Sequence, residues 1–367
     1  MNLPDDNDRN NISPQLTAAM VMTACVTLFI IVIVLIANRK SPHTQSQIQT
    51  ADSGSPVILQ EEPSDQNLSP EDLDFWDKYP EDKPEDGDNS SSTEEHDEDD
   101  KPIEPEDDTL PPEATDGRHT LVVNRDGKEE WVLITPYLPK NDYDYTNLVS
   151  QSGRMAYYND GKVTSYLGIC VDKYDDYIDF NALRDDGIDF VMLRVGVRGY
   201  GTGVITLDEY YADNLSRATQ AGLDIGLYFS SQAITKEEAA EEAVALVSAI
   251  ADYNITYPLV LDVGFVLNDT SRIESLSKTE KTDIIRTFAD AIKASGYTPA
   301  IHADKEFLIK EIDLSKFSDV DIWLKNYGDL PDYPYAFTMW EYTNSAHVGG
   351  VNGSSDLTIS FIDYTQK

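Results

Sequence analysis

Carboxylates and aromatic side chains gather at the ends of a series of short apolar runs, and these are the residues of this chain that could do chemistry. The runs read YLGICV, DFVMLRV, LDIGLYF, PLVLDV, TPAIHA, DIWLKNY and FTMWEY. At or just past their ends stand Cys170 and Asp172, Arg194, Tyr228 and Phe229, Asp262, His302, and Trp323 and Tyr327. Trp340, Glu341 and Tyr342 follow, and Asp356 comes last. Glycosidic bonds are usually cut by two carboxyl groups, one acting as acid and the other as base or nucleophile. The apolar face of a sugar ring stacks on Trp and Tyr. Carboxylates among aromatics therefore read as a carbohydrate pocket.

The elements that must position these residues alternate in type. Between the apolar runs lie amphipathic helical patterns at 207–221, 236–252 and 279–294. Alternating strands and helices predict parallel strands, and seven or eight of them in about 200 residues predict an α/β fold, a TIM-barrel-like β/α barrel. In such a barrel the working residues sit at the C-terminal strand ends. The last runs follow one another with little helix between them, so the barrel is expected to be irregular late.

The rest of the 367-residue chain differs in character. A formal net charge of −39 leaves no basic surface for nucleic acid. Residues 16–37 form an uncharged apolar run, long enough at about 1.5 Å per residue to cross a bilayer as one helix. The 15 residues before it carry Asp5, Asp6 and Asp8 against Arg9, unlike the basic leader of a cleaved signal. A retained single-pass anchor is expected, although the sparse flanking charges do not set its orientation. Within 38–116, the stretch 61–116 holds 24 acidic residues against three lysines, and self-repulsion predicts a disordered acidic linker. Residues 117–165 read as a small β lead-in, with hairpin turns at Asn124-Arg125-Asp126-Gly127 and Asn159-Asp160-Gly161. The only cysteines, Cys25 and Cys170, are in very different surroundings, which excludes a disulfide framework or a zinc site built from cysteines. No nucleotide loop or metal-ligand spacing is present, and neither cofactor nor metal is expected.

Across 166–367 the motifs resemble glycoside hydrolase family 25, the Chalaropsis-type muramidases. The resemblance runs through Gly168-Ile169-Cys170-Val171-Asp172, Gly187-Ile188-Asp189-Phe190, Leu193-Arg194-Val195-Gly196 and Gly226-Leu227-Tyr228-Phe229. It continues through Leu261-Asp262-Val263, Asp321-Ile322-Trp323, Met339-Trp340-Glu341-Tyr342 and Asp356-Leu357. It implies an irregular barrel whose substrate is peptidoglycan or another cell-wall glycan. Asp262 and Asp356 match two acidic positions of the family. Its first-strand Asp is replaced here by Cys170. The D-x-E motif that supplies its general acid/base Glu reads Asp262-Val263-Gly264. His302 and Asp304 stand where the resemblance implies Tyr and Asn, Asn326 and Glu341 where it implies Gln, and Thr358 where it implies Asn.

Three readings follow. The first is a membrane-anchored, non-hydrolytic glycan-binding or scaffold module at the bacterial cell surface, with its C-terminal domain outside. The second is an active muramidase using Asp172 and Glu341 as relocated carboxylates. The third is a protein–protein interaction module with an unknown partner.

Overall fold

The computed structural model describes residues 111–250, 253–266 and 269–367. The apolar run 16–37 and all of the acidic linker up to residue 110 lie outside the described residues. Among those described, no helix is long and apolar enough to cross a membrane.

The lead-in holds five short strands. β1 (His119–Val123) and β2 (Glu129–Leu133) form an antiparallel hairpin. Its turn is closed by the Gly127 amide, which donates to the Asn124 carbonyl at 2.7 Å. β3 (Leu148–Gln151), β4 (Arg154–Asn159) and β5 (Lys162–Val163) form a meander. Its two tight turns use Ser152-Gly153 and Asp160-Gly161, all at positive φ, the backbone that matches the twist of a hairpin. β3 was not expected from the sequence, because four residues lying mostly exposed show no alternation to read.

Eight strands then close a barrel in the order β6 (Tyr166–Val171), β7 (Phe190–Arg198), β9 (Asp224–Ser231), β10 (Leu259–Val263), β11 (Pro299–Asp304), β12 (Asp321–Lys325), β13 (Met339–Ala346) and β14 (Ser355–Ser360). The first seven are parallel. β14 runs antiparallel to both β13 and β6 and so closes the ring. β8 (Ile205–Leu207) hangs on β7 as an antiparallel extension. Leu207 therefore opens no helix. It pairs with Gly196, where a Cβ would come within 2.7 Å of the Thr206 carbonyl oxygen. No α-helix separates β12, β13 and β14, which is the late irregularity expected from the spacing.

Four helices, α1 (Phe180–Asp185), α2 (Tyr211–Ala221), α3 (Lys236–Ala249) and α4 (Lys278–Ala294), contribute to the layer outside the strands. α4 starts at a capping box in which Ser277 and Glu280 each satisfy the other's backbone amide, and it buries Ile284, Ile285, Phe288 and Ile292. α2 stops at Gly222, whose φ of 77° suits glycine.

Strand alternation sorts the side chains into two cores. The outer one, shared with the helices, takes Ile169, Val191, Leu193, Ile225, Leu227, Phe229, Leu261, Ile301, Leu324, Trp340 and Ile359. The inner one fills the barrel with Phe190, Met192, Tyr228, Val260, Ala300, Trp323 and Met339. Its floor is a stack of Phe190 on Tyr257 at 4.1 Å, with Tyr364 beside it. Gly168 faces this stack, where a Cβ would lie 2.3 Å from the Phe190 ring.

One buried ion pair ties strands to helix. Arg198 on β7 meets the fully buried Glu242 of α3 at 2.6 Å, and Ser231 of β9 donates to the other Glu242 oxygen at 2.7 Å. Removing one partner of such a pair strands the other's charge away from water. Arg198→Ala is therefore expected to cost about 3–5 kcal/mol in urea unfolding. A loss under 1 kcal/mol would mean that the Glu242 carboxyl, which burial already pushes up to about 7, takes up a proton once the guanidinium is gone.

Candidate functional site

The mouth of the barrel, where the parallel strands end, carries a chain of buried polar groups. His302 on β11 is its centre. Its Nδ1 lies 2.9 Å from Asp262 Oδ1, and its Nε2 faces Glu341 Oε2 at 3.2 Å. A carboxylate can only accept, so the Asp262 contact places a proton on Nδ1. Ser230 donates to the other Asp262 oxygen at 2.9 Å, and Tyr327 donates to Glu341 Oε1 at 2.9 Å. The imidazole lies against the Trp323 ring at 4.0 Å, and the Trp323 indole N–H donates to Thr358 at 3.2 Å.

These contacts set the protonation states. Burial alone would lower the pKa of His302, but the Glu341 charge and the two carboxylate contacts outweigh it and raise it. Burial would raise that of Glu341, but the positive charge on His302 and the nearby Lys325 outweigh it and hold the carboxyl below its usual range. Glu341 is therefore an anion at neutral pH. Cys170 lies beside it, with Sγ 3.6 Å from Glu341 Oε2. Burial and the charges of Glu341 and Asp356 push this thiol up, so it is no ready nucleophile. Cys170 Sγ, a Glu341 oxygen and an Asp356 oxygen all lie within 4.8 Å of one another. Asp356 joins them because β14 is antiparallel, which brings the start of that strand to the rim where the others end.

A second cluster sits on the same rim. The buried Arg194 guanidinium bridges Asp172 at 3.1 Å and Asp208 at 3.2 Å. Asp208 also accepts from the Lys173 amide at 2.9 Å. Asp175 accepts from the Asp172 amide, and burial together with the Asp172 charge pushes its carboxyl up to about 7.

Of the side chains singled out from sequence, Cys170, Asp262, His302, Glu341, Trp323, Tyr327 and Asp356 come together, with Tyr228 edge-on to Trp323 at 6.4 Å. Asp172 and Arg194 form the second cluster. Phe229, Trp340 and Tyr342 point away from the barrel interior and lie in the outer core. Neighbours on a strand face opposite ways, so Tyr228 and Phe229 cannot both point inward, and Glu341 inward sends Trp340 and Tyr342 outward. Trp340 donates its indole N–H to the Asn326 carbonyl at 2.6 Å, and the Tyr342 hydroxyl accepts from the Met155 amide of β4 at 3.3 Å. The sequence reading missed Ser230, Asp208 and Asp175. Ser230 stands two residues beyond Tyr228 and was accessible by parity, whereas Asp208 lies in a loop after β8 with no local signal.

The family model for glycosyl hydrolases family 25 matches residues 169–351, from within β6 to the loop before β14. The chain carries a family 25 glycosyl hydrolase domain. Its likeness to known members is distant. The autolytic lysozyme of Clostridium acetobutylicum is 25% identical over 181 residues, 49% of this chain and 51% of that protein. The chain thus spans about half the length of this curated relative. Among solved structures, the modular autolysin LytC from Streptococcus pneumoniae, in complex with a synthetic peptidoglycan ligand, is similar at 18% identity, with 66% of this chain and 56% of that chain covered, TM-score 0.49. A family 25 glycosyl hydrolase from Bacillus anthracis is similar at 21% identity, covering 58% and 95%, TM-score 0.46.

In this family 25 domain, Gly264 stands two residues beyond Asp262, just past the end of β10. A Cβ built there would meet no atom within 4 Å, so no neighbour has filled the space. On the second cluster Asp175 is a carboxyl disposed to hold a proton near neutral pH. Asp172→Asn removes its negative neighbour, so Asp175 should titrate clearly below 7 when followed by carboxyl carbon NMR. An unchanged midpoint would make burial its sole cause.

Proposed function

We propose that the family 25 domain binds cell-wall glycan at the barrel mouth without hydrolysing it, and that the apolar run 16–37 anchors it at the bacterial cell surface. The observation that carries this reading is Gly264. Proton donation to the leaving oxygen contributes roughly 10²–10⁴-fold to such a reaction, and glycine has no group to provide it. The two carboxylates that sequence offered as replacements are each bound to a cation, Glu341 facing His302 and Asp172 facing Arg194. Affinity does not need the acid. The exposed Tyr327 ring offers a stacking surface beside a groove of about 620 Å³ that runs along Gly328, Asp329 and residues 342–347 to the β3–β4 turn. The family 25 match and the curated autolytic lysozyme support peptidoglycan as the glycan.

The purified protein is expected to release no reducing ends from peptidoglycan above a buffer control. It should bind soluble fragments with a dissociation constant on the order of 10 μM to 1 mM, and Tyr327→Ala should cost roughly 1 kcal/mol. Fragment titration followed by tryptophan fluorescence measures both quantities. No response at millimolar fragment would favour a protein partner instead. Protease shaving of intact cells tests the anchor, since a domain outside the membrane is cleaved and one inside is protected.

One observation favours a second reading, a muramidase with a moved acid. Asp175, pushed up to about 7, carries a proton for part of the time at neutral pH. If reducing ends are released, Asp175→Asn should abolish them, whereas Glu341→Gln would be the damaging change if the acid were on β13.

A further inference from the structure

A second groove lies away from the mouth, at the end of the barrel where β12 and β13 begin. It has a volume of about 520 Å³ and is walled by Tyr137 and Leu138 of the lead-in, by Phe317, and by Tyr333, Tyr335 and Phe337 ahead of β13. Among the described residues, two hydroxyl protons in it have no acceptor. Tyr333 is only 2% exposed and its hydroxyl makes no hydrogen bond, while the Tyr335 hydroxyl accepts from the Thr135 amide at 2.9 Å and keeps its own proton to donate. An unpaired buried hydroxyl is costly. Asp321, the one charged residue lining the groove, is already taken up by Lys367 at 2.5 Å and by the Tyr364 hydroxyl at 2.7 Å. The groove therefore suits an apolar ligand that brings carbonyl acceptors and few N–H groups. Proline-containing peptides have that chemistry, because proline lacks the N–H and the polyproline helix leaves its carbonyls unbonded. Aromatic-lined grooves are what such peptides dock on.

The chain itself supplies such a segment. Pro102-Ile103-Glu104-Pro105 is followed directly by Glu106-Asp107-Asp108, and at three residues per turn both prolines fall on one side. Charge agrees with this. Lys140 and Lys316 are exposed beside the lining residues Pro139 and Phe317, and neither makes an ion pair among the described residues. Reach agrees as well. The Ile134 amide donates to the Arg118 carbonyl at 2.7 Å, only three residues ahead of Tyr137, and the ten residues from Asp108 to Arg118 extend up to about 31 Å. We propose that residues 102–108 of this chain dock in the groove as an extended proline segment, with one of their carbonyls accepting from Tyr333 and their acidic end lying toward Lys140 and Lys316. Docking fastens the end of the acidic linker to the domain, so that the spacer stops at Lys101. The mouth plays no part, and the inference stands apart from glycan binding.

The test uses the full chain in detergent and a fluorescein-labelled synthetic peptide of residues 100–110, followed by anisotropy. Pro102→Ala with Pro105→Ala removes the chain's own occupant, so this variant should bind the peptide roughly 10-fold more tightly than the wild-type chain, whose tethered segment competes. On that background Tyr333→Phe should weaken binding roughly 5-fold. Lys140→Glu with Lys316→Glu should weaken it too, and more at low salt than at high salt. No binding to the double alanine variant overturns the proposal. Equal binding by that variant and the wild-type chain also overturns it, since the groove would then stand open for a partner. So does a wild-type block that is lost on dilution, since the occupant would be a second copy. Binding that Tyr333→Phe leaves unchanged would place the peptide elsewhere and overturns it as well. The two lysine substitutions, both at exposed positions, decide the matter if that variant folds poorly.

Discussion

The double pairing of β6, parallel to β7 on one side and antiparallel to β14 on the other, is the constraint on which the rest of this molecule depends. A closed sheet has no free edge along which a strand can slip, so register and facing are settled together all the way round. Once Gly168 and Cys170 face inward, Phe190, Met192 and Arg194 do so on β7, Tyr228 and Ser230 on β9, Asp262 on β10 and His302 on β11. The lower layers of this interior are largely aromatic and apolar. The upper layer is where the parallel strands end, and Asp262, His302, Glu341 and Asp356 collect there. Their proximity follows from closure rather than from sequence spacing.

That layer also explains how so many charges tolerate burial. An isolated carboxylate as buried as Glu341 would take up a proton. Here an imidazole lies between two carboxylates, and hydroxyls from Ser230 and Tyr327 satisfy their remaining oxygens. His302 and Glu341 replace the Tyr and Gln that the family resemblance implies at these positions. A charged pair replaces a neutral one. Glu341 without His302 would be a buried carboxylate lacking its cation, whereas His302 keeps the Asp262 contact in either case.

Much of the barrel was legible in the sequence because buried parallel strands read as continuous apolar runs, as in Leu259–Val263 and Phe190–Arg198. The same property hid which face each residue occupies. With both faces apolar, nothing local separates Tyr228 from Phe229, or Trp323 from Trp340, and the outward members were read as pocket residues. β14 posed a different difficulty, since its direction is fixed only by its two neighbours. The pairing of Arg194 with Asp208 depends on a loop whose path no periodicity describes. Cys170, Gly264 and His302 were visible as departures from a motif, but their joint chemistry required the coordinates.

The lead-in strands are fastened to parts of the chain far ahead of them. Thr120 bonds to the Asp332 carbonyl, Arg125 to Glu306, the Thr135 amide to Tyr335, Tyr143 to the Phe337 carbonyl, and the Met155 amide to Tyr342. Each contact spans some 180 to 212 residues of sequence. Contacts this distant close late, because the loop entropy must be met before the contact returns anything. During synthesis, the β1–β2 hairpin emerges first, yet its partners Glu306 and Asp332 are made only near the end. The part of the described chain that is translated earliest is thus the part that must wait longest, and its arrival marks the end of folding.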